Sequence, residues 1–248
     1  MLQNFESLVL IWLGIGFITF ITLLKIPAPY GKFSKTNWGP MIPSKLGWIV
    51  MEIISPLALL YFFLNGNIEK SPTNITFISL WTLHYFNRSV IYPLRQNNPA
   101  KMPLLIAVLA FLFNVMNGYI NGTYFGSIQE YSTEYMSNWN FVVGVCLFIT
   151  GAYINIKSDN ILLSLRSKSG EYKIPEGFMF RYVSFPNYLG EILEWMAFAI
   201  MTWSLAGLSF MIWTMANLVP RAIKGHQWYH SKFESYPKNR KAIFPFII

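Results

Sequence analysis

From Leu8 to Leu24 the chain runs 17 residues without a charged side chain, and five comparable apolar blocks follow: Leu46–Leu64, Asn74–Leu94, Pro103–Ile120, Trp139–Ile156 and Ile192–Val219. An α-helix needs about 20 mostly apolar residues to cross roughly 30 Å of hydrocarbon. A chain in lipid must also satisfy its backbone N–H and C=O groups internally. Blocks of this length, separated by charged loops, predict an all-α polytopic membrane protein. Composition agrees: 12% of the 248 residues are charged, about half the share in soluble domains, too few to cover a water-facing surface. A soluble globular enzyme is therefore excluded. The net charge of +8 sits in the loops between apolar blocks, which speaks for orientation in a membrane and against a nucleic-acid partner. The single Cys146 excludes a disulfide framework and a Cys-based zinc site. Met1 to Ser7 contains Glu6 and no Lys or Arg, so Leu8–Leu24 is expected to stay as a first span and not be cleaved as a signal.

Ile192–Val219 holds 28 residues, about 42 Å as one helix, and length leaves its crossing number open. Charge decides it. The loop from Lys25 to Lys45 carries Lys25, Lys32, Lys35 and Lys45 without an acid, and Arg95 and Lys101 follow the third block. Asn121–Asn138 carries only Glu130 and Glu134, whereas Lys157–Arg181 has five basic residues and the tail from Arg221 has six. Basic loops stay in the cytosol, so an even number of crossings must separate the last two. The long block is then a hairpin turning near Ser204–Gly207. A single membrane-embedded domain over residues 1–248 is expected, with spans at about 8–24, 46–64, 74–94, 103–120, 139–156, 187–204 and 207–224. The N-terminus falls outside and the C-terminus in the cytosol.

Glu52, His84, Arg88, Glu191 and Glu194 lie within or at the edge of spans. A charge at a helix centre costs about 2.5–3.5 kcal/mol on insertion scales, so each needs a partner or a task. Counting from the cytosolic ends, Glu52 sits about 10 Å deep in span 2 and Tyr85 about 14 Å deep in span 3. Asn155 and Asp159 share a face of span 5; Asn187, Glu191 and Glu194 share one where span 6 begins. Four helices aiming polar groups at one layer describe a buried site that opens to the cytosol. Plainer roles go to Asn114 and Asn117 as interhelical hydrogen bonds, and to Arg88 and Arg95 as interfacial anchors. Gly14-Ile15-Gly16 lies mid-span without a third glycine, and no phosphate-binding loop or HExxH sequence occurs. The histidines His84, His226 and His230 form no cluster with carboxylates, so no metal is expected. Asn74-Ile75-Thr76 and Asn121-Gly122-Thr123 are glycosylation sequons that carry little weight.

Several stretches together are more specific. They are Asn155-Ile156-Lys157-Ser158-Asp159, Leu165-Arg166, Tyr172-Lys173-Ile174-Pro175, Phe185-Pro186-Asn187-Tyr188-Leu189-Gly190-Glu191 with Glu194-Trp195, and Tyr236-Pro237-Lys238-Asn239-Arg240-Lys241-Ala242. This set closely resembles the steroid 5α-reductase family from about Asn140 onward. Weaker likeness extends through His84-Tyr85-Phe86-Asn87-Arg88, Gly47-Trp48 with Glu52, and Tyr30-Gly31-Lys32. The resemblance implies an NADPH-dependent membrane reductase that saturates the Δ4 double bond of a 3-oxo steroid. It implies that Glu52 and Tyr85 contact the 3-oxo group. It also implies that Asn155, Asp159, Arg166, Tyr172, Lys173, Asn187, Glu191, Arg221 and Tyr229 line the NADPH site, with Lys32 as an addition. Met51 and Lys224-Gly225-His226 depart from the family pattern. The implied partners are a hydrophobic, steroid-like enone and membrane lipids, for a monomer in a bacterial cytoplasmic or endoplasmic reticulum membrane.

These residue types suit that chemistry. Hydride addition to an enone drives charge onto the carbonyl oxygen, and a buried phenol aimed there stabilises it. Glu52 can orient that phenol or, when protonated, donate itself. Arg166 and Arg221 match phosphate geometry. The alternatives are a polyprenal or trans-2-enoyl thioester reductase, an isoprenylcysteine-type methyltransferase using S-adenosylmethionine, and a lipid-binding or transport protein.

Overall fold

The computed structural model describes residues 2–96, 100–165 and 172–248. The apolar blocks are helices: α1 Leu2–Lys25, α2 Ser44–Leu64, α3 Pro72–Phe86, α5 Leu104–Thr123, α6 Trp139–Leu165, α7 Pro186–Thr202 and α8 Leu205–Lys232. A π-helical turn, Asn87–Ile91, and a short α4, Tyr92–Leu94, continue α3; a second π-helical turn, Tyr124–Ile128, continues α5. Among the described residues, four helical stretches are long and apolar enough to cross a membrane: Leu2–Lys25, Ser44–Leu64, Leu104–Ile128 and Trp139–Leu165. The polarity is inside out. Ile11, Phe17, Tyr61, Leu83 and Leu112 are exposed while Ser55, Asn114, Asn117, Asn121, Ser158 and Asp159 are buried, which suits a lipid surround and an interior that satisfies polar groups.

The chain divides into two compact units, one of Met1–Val9 and Ala28–Val142, the other of Leu10–Pro27 and Val143–Ile248. In the first, β1 (Met41–Pro43) and β2 (Lys101–Pro103) pair antiparallel, with Ile42 opposite Met102. Ser44 N donates to Ala100 O at 2.9 Å and Leu104 N to Pro40 O at 2.8 Å, so the ribbon ties the starts of α2 and α5 together. The chain is therefore mostly, not wholly, helical. Three-residue strands bounded by prolines are too short to show an alternating pattern in sequence. From the ribbon α2 and α5 run parallel. Gly118, Gly122 and Gly126, four residues apart, lie against the α2 backbone: a Cβ at Gly118 would stand 2.5 Å from Ala58 Cβ, and one at Gly122 2.6 Å from Leu59 O. Small residues at this spacing are what close helix approach in lipid requires. Antiparallel α3 is joined to α2 by Trp81 Nε1 donating to Ser55 Oγ (3.1 Å) and Trp48 Nε1 donating to Arg88 O (3.1 Å). Asn74 and Asn121 are buried, and Asn74 Nδ2 donates to Phe125 O at 3.0 Å, so neither sequon is open to modification.

In the second unit α6 and α7 are antiparallel, with Gly144 against Met201 and Gly151 against Gly190 and Glu194. The hairpin expected near Ser204–Gly207 is present. Trp203 is left-handed (φ 46°), Ser204 Oγ accepts from Gly207 N at 3.0 Å, and a Cβ at Gly207 would meet Thr202 Oγ1 at 2.6 Å. Beyond α8 the tail folds back on the segment before α7: Ser184 N donates to Lys241 O (2.8 Å) and Lys241 N to Tyr182 O (2.9 Å). Phe185, Ile192, Leu218, Ala222, Tyr229, Tyr236 and Ile243 pack there as one cluster. The helices outrun the expected spans. α6 continues from Ile156 to Leu165 and α8 to Lys232, because a charged side chain ends an apolar block without ending a helix.

Candidate active site

In the first unit the polar centre joins three helices. Tyr85 on α3 is buried, stacked on Trp81 with ring centroids 5.7 Å apart, and its hydroxyl donates to Asn114 Oδ1 on α5 at 3.3 Å. Asn114 Nδ2 donates to Met51 O on α2 at 2.6 Å. Half-buried Glu52 is the next residue on α2. Pro56 lies inside α2 and has no N–H for the carbonyl four residues earlier, so the helix ladder opens at Glu52. The π-helical turn lies just beyond Tyr85, where Ser89 Oγ donates to Tyr85 O at 2.7 Å; such turns recur at functional sites. Arg88 is not the interfacial anchor expected. It is buried, its guanidinium 5.1 Å from the Trp48 ring and 5.3 Å from the Tyr92 ring, an arrangement that holds a desolvated cation against π faces. Lys32 belongs to this unit, half-buried in the short 3-10 turn Gly31–Phe33, with Nζ 5.7 Å from the Phe33 ring.

The remaining candidates belong to the second unit. Asn155 Nδ2 on α6 donates to Asn187 O at the start of α7 (2.9 Å), and Asn187 Nδ2 donates to Asp159 Oδ1 (3.0 Å). The carboxylate only accepts, so it fixes the Asn187 amide orientation and turns Oδ1 away. That oxygen is buried and has no hydrogen-bond partner among the described residues. Gly190 admits this contact, since a Cβ there would stand 2.5 Å from Asn155 N. Glu191 is half-buried and Glu194 buried on the same helix. On α8, Arg221 Nε donates to Tyr188 OH at 3.0 Å, and Tyr188 stacks on Phe185 at 5.2 Å. Tyr229 is buried, stacked on Tyr236 at 5.1 Å. Tyr172 packs on Trp228 at 5.0 Å, and Lys173 is exposed. Arg166 lies outside the described residues.

Below this layer, Ser184 Oγ lies 2.6 Å from His226 Nδ1 and accepts from Tyr236 OH at 2.7 Å. Arg240 Nη1 donates to Pro175 O at 3.1 Å, holding the tail to the segment before α7. Burial, then the positive charge of His230, Arg240 and Lys241, pushes the His226 imidazole down to about 4.

Residues 100–248 match the family described as 3-oxo-5-alpha-steroid 4-dehydrogenase. The steroid 5-alpha-reductase DET2 of Solanum lycopersicum is 43% identical over 251 residues, covering 98% of this chain and 96% of that protein. The chain belongs to this family. The 3-oxo-5-alpha-steroid 4-dehydrogenase 1 of Rattus norvegicus is 37% identical, over 94% of this chain and 91% of its own, and that of Homo sapiens 35% identical, over 94% and 92%. Among the residues that sequence reasoning named for the reductase chemistry, the structure joins Asn155, Asp159 and Asn187 directly. Asn114 makes the interhelical hydrogen bonds expected of it, and one of them ends on Tyr85, a pairing that has no signal in residue spacing.

Proposed function

We propose that the chain reduces the Δ4 double bond of 3-oxo steroids to the 5α-3-oxo product with NADPH, at a site open to the cytosol. The observation that carries this reading is the buried Tyr85 hydroxyl, held to Asn114 at 3.3 Å, in a chain whose relatives are named for 3-oxo steroids. A phenol in apolar surroundings donates to a ketone oxygen without reorganising water, and the interaction strengthens as charge develops there. Glu52, beside the opened turn of α2, orients that donor or donates when protonated.

The donor set of the second unit fits a dinucleotide. The unpartnered Asn187 Oδ1 is a fixed acceptor for a carboxamide N–H, and Asn155 and Asp159 hold it in place. Glu191 adds acceptor capacity, Arg221 suits phosphates, and Tyr172, Lys173 and Tyr229 complete this set; Arg166, outside the described residues, and Lys32, in the first unit, are assigned by the family resemblance alone. NADPH, when bound, supplies the hydride.

Seven crossings with the N-terminus outside accord with antiparallel α2/α3, α6/α7 and α7/α8 and with parallel α2/α5. Trp139 and Trp203 are exposed at helix ends assigned to the outer interface, where indole rings collect. We assign the protein to the membrane as a monomer.

The test offers detergent-solubilised protein NADPH or S-adenosylmethionine, and a Δ4-3-oxo steroid, a polyprenal or a trans-2-enoyl thioester. NADPH binding with steroid reduction is the expected result. Preference for either other enone overturns the substrate, and S-adenosylmethionine binding in place of NADPH overturns the reaction class.

A further inference from the structure

We propose that Asn114 is the positioning residue for Tyr85: its amide holds the phenol hydroxyl before the ketone arrives and yields that hydroxyl to the substrate oxygen. This rests on the reading of Tyr85 as the carbonyl donor and extends it to a residue on a third helix.

The two hydrogen bonds of Asn114 are unequal, and the inequality sets its role. Met51 O can only accept, so the 2.6 Å contact must come from Asn114 Nδ2. The amide orientation is thereby fixed and Oδ1 faces Tyr85 as an acceptor. The Tyr85 hydroxyl donates to Asn114 Oδ1 across 3.3 Å, well beyond the usual O–H···O separation of about 2.7–2.8 Å. Asn114 is thus anchored firmly to α2 and loosely to the phenol. A ketone oxygen at ordinary distance takes the proton in exchange for a weak bond. The amide cannot follow by flipping, because that would set its oxygen against the Met51 carbonyl. The phenol O–H therefore rotates while its ring stays fixed by Trp81 and by the Ser89 bond to its backbone.

The anchor itself is rigid. Asn114 is 3% exposed, and one turn further along α5 Gly118 brings the helix against α2. Glue between α2 and α5 needs only the Met51 bond. The second bond ends on the residue assigned to the reaction.

A double-mutant cycle on the full-length enzyme in detergent tests this. Asn114→Leu keeps the volume and removes both polar groups. Its kcat should fall about tenfold, the scale of one neutral hydrogen bond, with KM for the steroid changed less than about twofold. In a Tyr85→Phe background the same substitution should change kcat by less than about twofold, since there is no hydroxyl left to position. Thermal melting without ligands reports folding, and Asn114→Ala carries the same cycle should Asn114→Leu fail to fold. Equal losses in both backgrounds make Asn114 helix glue and overturn the proposal while leaving the reductase reading intact. Wild-type turnover in Tyr85→Phe overturns the carbonyl-donor reading, and this proposal with it.

Discussion

Gly118→Ala is the smallest change that tests how the first unit positions its polar centre. The added Cβ would stand 2.5 Å from Ala58 Cβ, 2.9 Å from Leu59 N and 3.1 Å from Ser55 O. Carbon–carbon contacts settle near 3.5–4.0 Å, so α5 must retreat by about 1 Å, because the Ala58 Cβ and the backbone atoms behind it have no rotamer by which to step aside. Overpacking of this kind costs about 1–3 kcal/mol, against a gain of up to about 1 kcal/mol from replacing a helical glycine by alanine. The same retreat stretches the 2.6 Å bond from Asn114 to Met51 O toward the limit of a hydrogen bond and slackens the hold on Tyr85. Gly14→Ala in α1 is the control, because nothing stands within 4 Å of its Cβ. Thermal unfolding in detergent should separate the two variants by about 1–3 kcal/mol, several degrees in Tm. Only Gly118→Ala should lose turnover. If both variants melt together and both turn over like wild type, the α2–α5 contact is not what positions the centre.

Three further outcomes follow from the second unit and the topology. Asn187→Ala should weaken NADPH binding about tenfold by equilibrium titration, with the loss of one buried hydrogen bond; unchanged affinity removes Asn187 from the cofactor site. The His226 imidazole sits near 4 in the folded chain against an ordinary value of 6.5, so the unfolded chain takes up the proton first as pH falls. The stability His226 contributes is complete above pH 6.5 and is lost as pH drops toward 4; Tm in detergent should decline through that window, and His226→Asn should flatten the decline. A reporter fused after Ile248 should be cytosolic and one fused before Met1 external; both on one side contradicts seven crossings.

The fold was largely legible because lipid leaves a chain few options. Apolar blocks marked the long helices, and charge asymmetry alone called for the hairpin that Trp203 and Ser204 make. What the blocks could not show was where a helix ends: α6 runs on to Leu165, and Tyr229, beyond the last expected span, lies on α8. The Met41–Pro43 ribbon was too short to leave a pattern. In the candidate site, i,i+4 spacing put Asn155 and Asp159 on one face, and the Asn187 contact bears that grouping out. Arg88 misled because a basic residue near a span end reads as an anchor; the approach of Trp48 from α2, which leaves no signal in spacing, joins Tyr92 in holding it. Pro56 was a visible signal, four residues after Glu52, that the helix ladder opens there.

The central claim is that hydride passes from NADPH to the β-carbon of a 3-oxo enone. Its most direct test is isotope transfer. NADPH deuterated at the nicotinamide C4 position used in transfer is incubated with purified protein and a Δ4-3-oxo steroid, and the product is examined by mass spectrometry and NMR. One deuterium at the carbon β to the ketone, in a 5α-reduced product, is the predicted result. A saturated product with no label at that carbon, or with label there only when the solvent is deuterated, would contradict it.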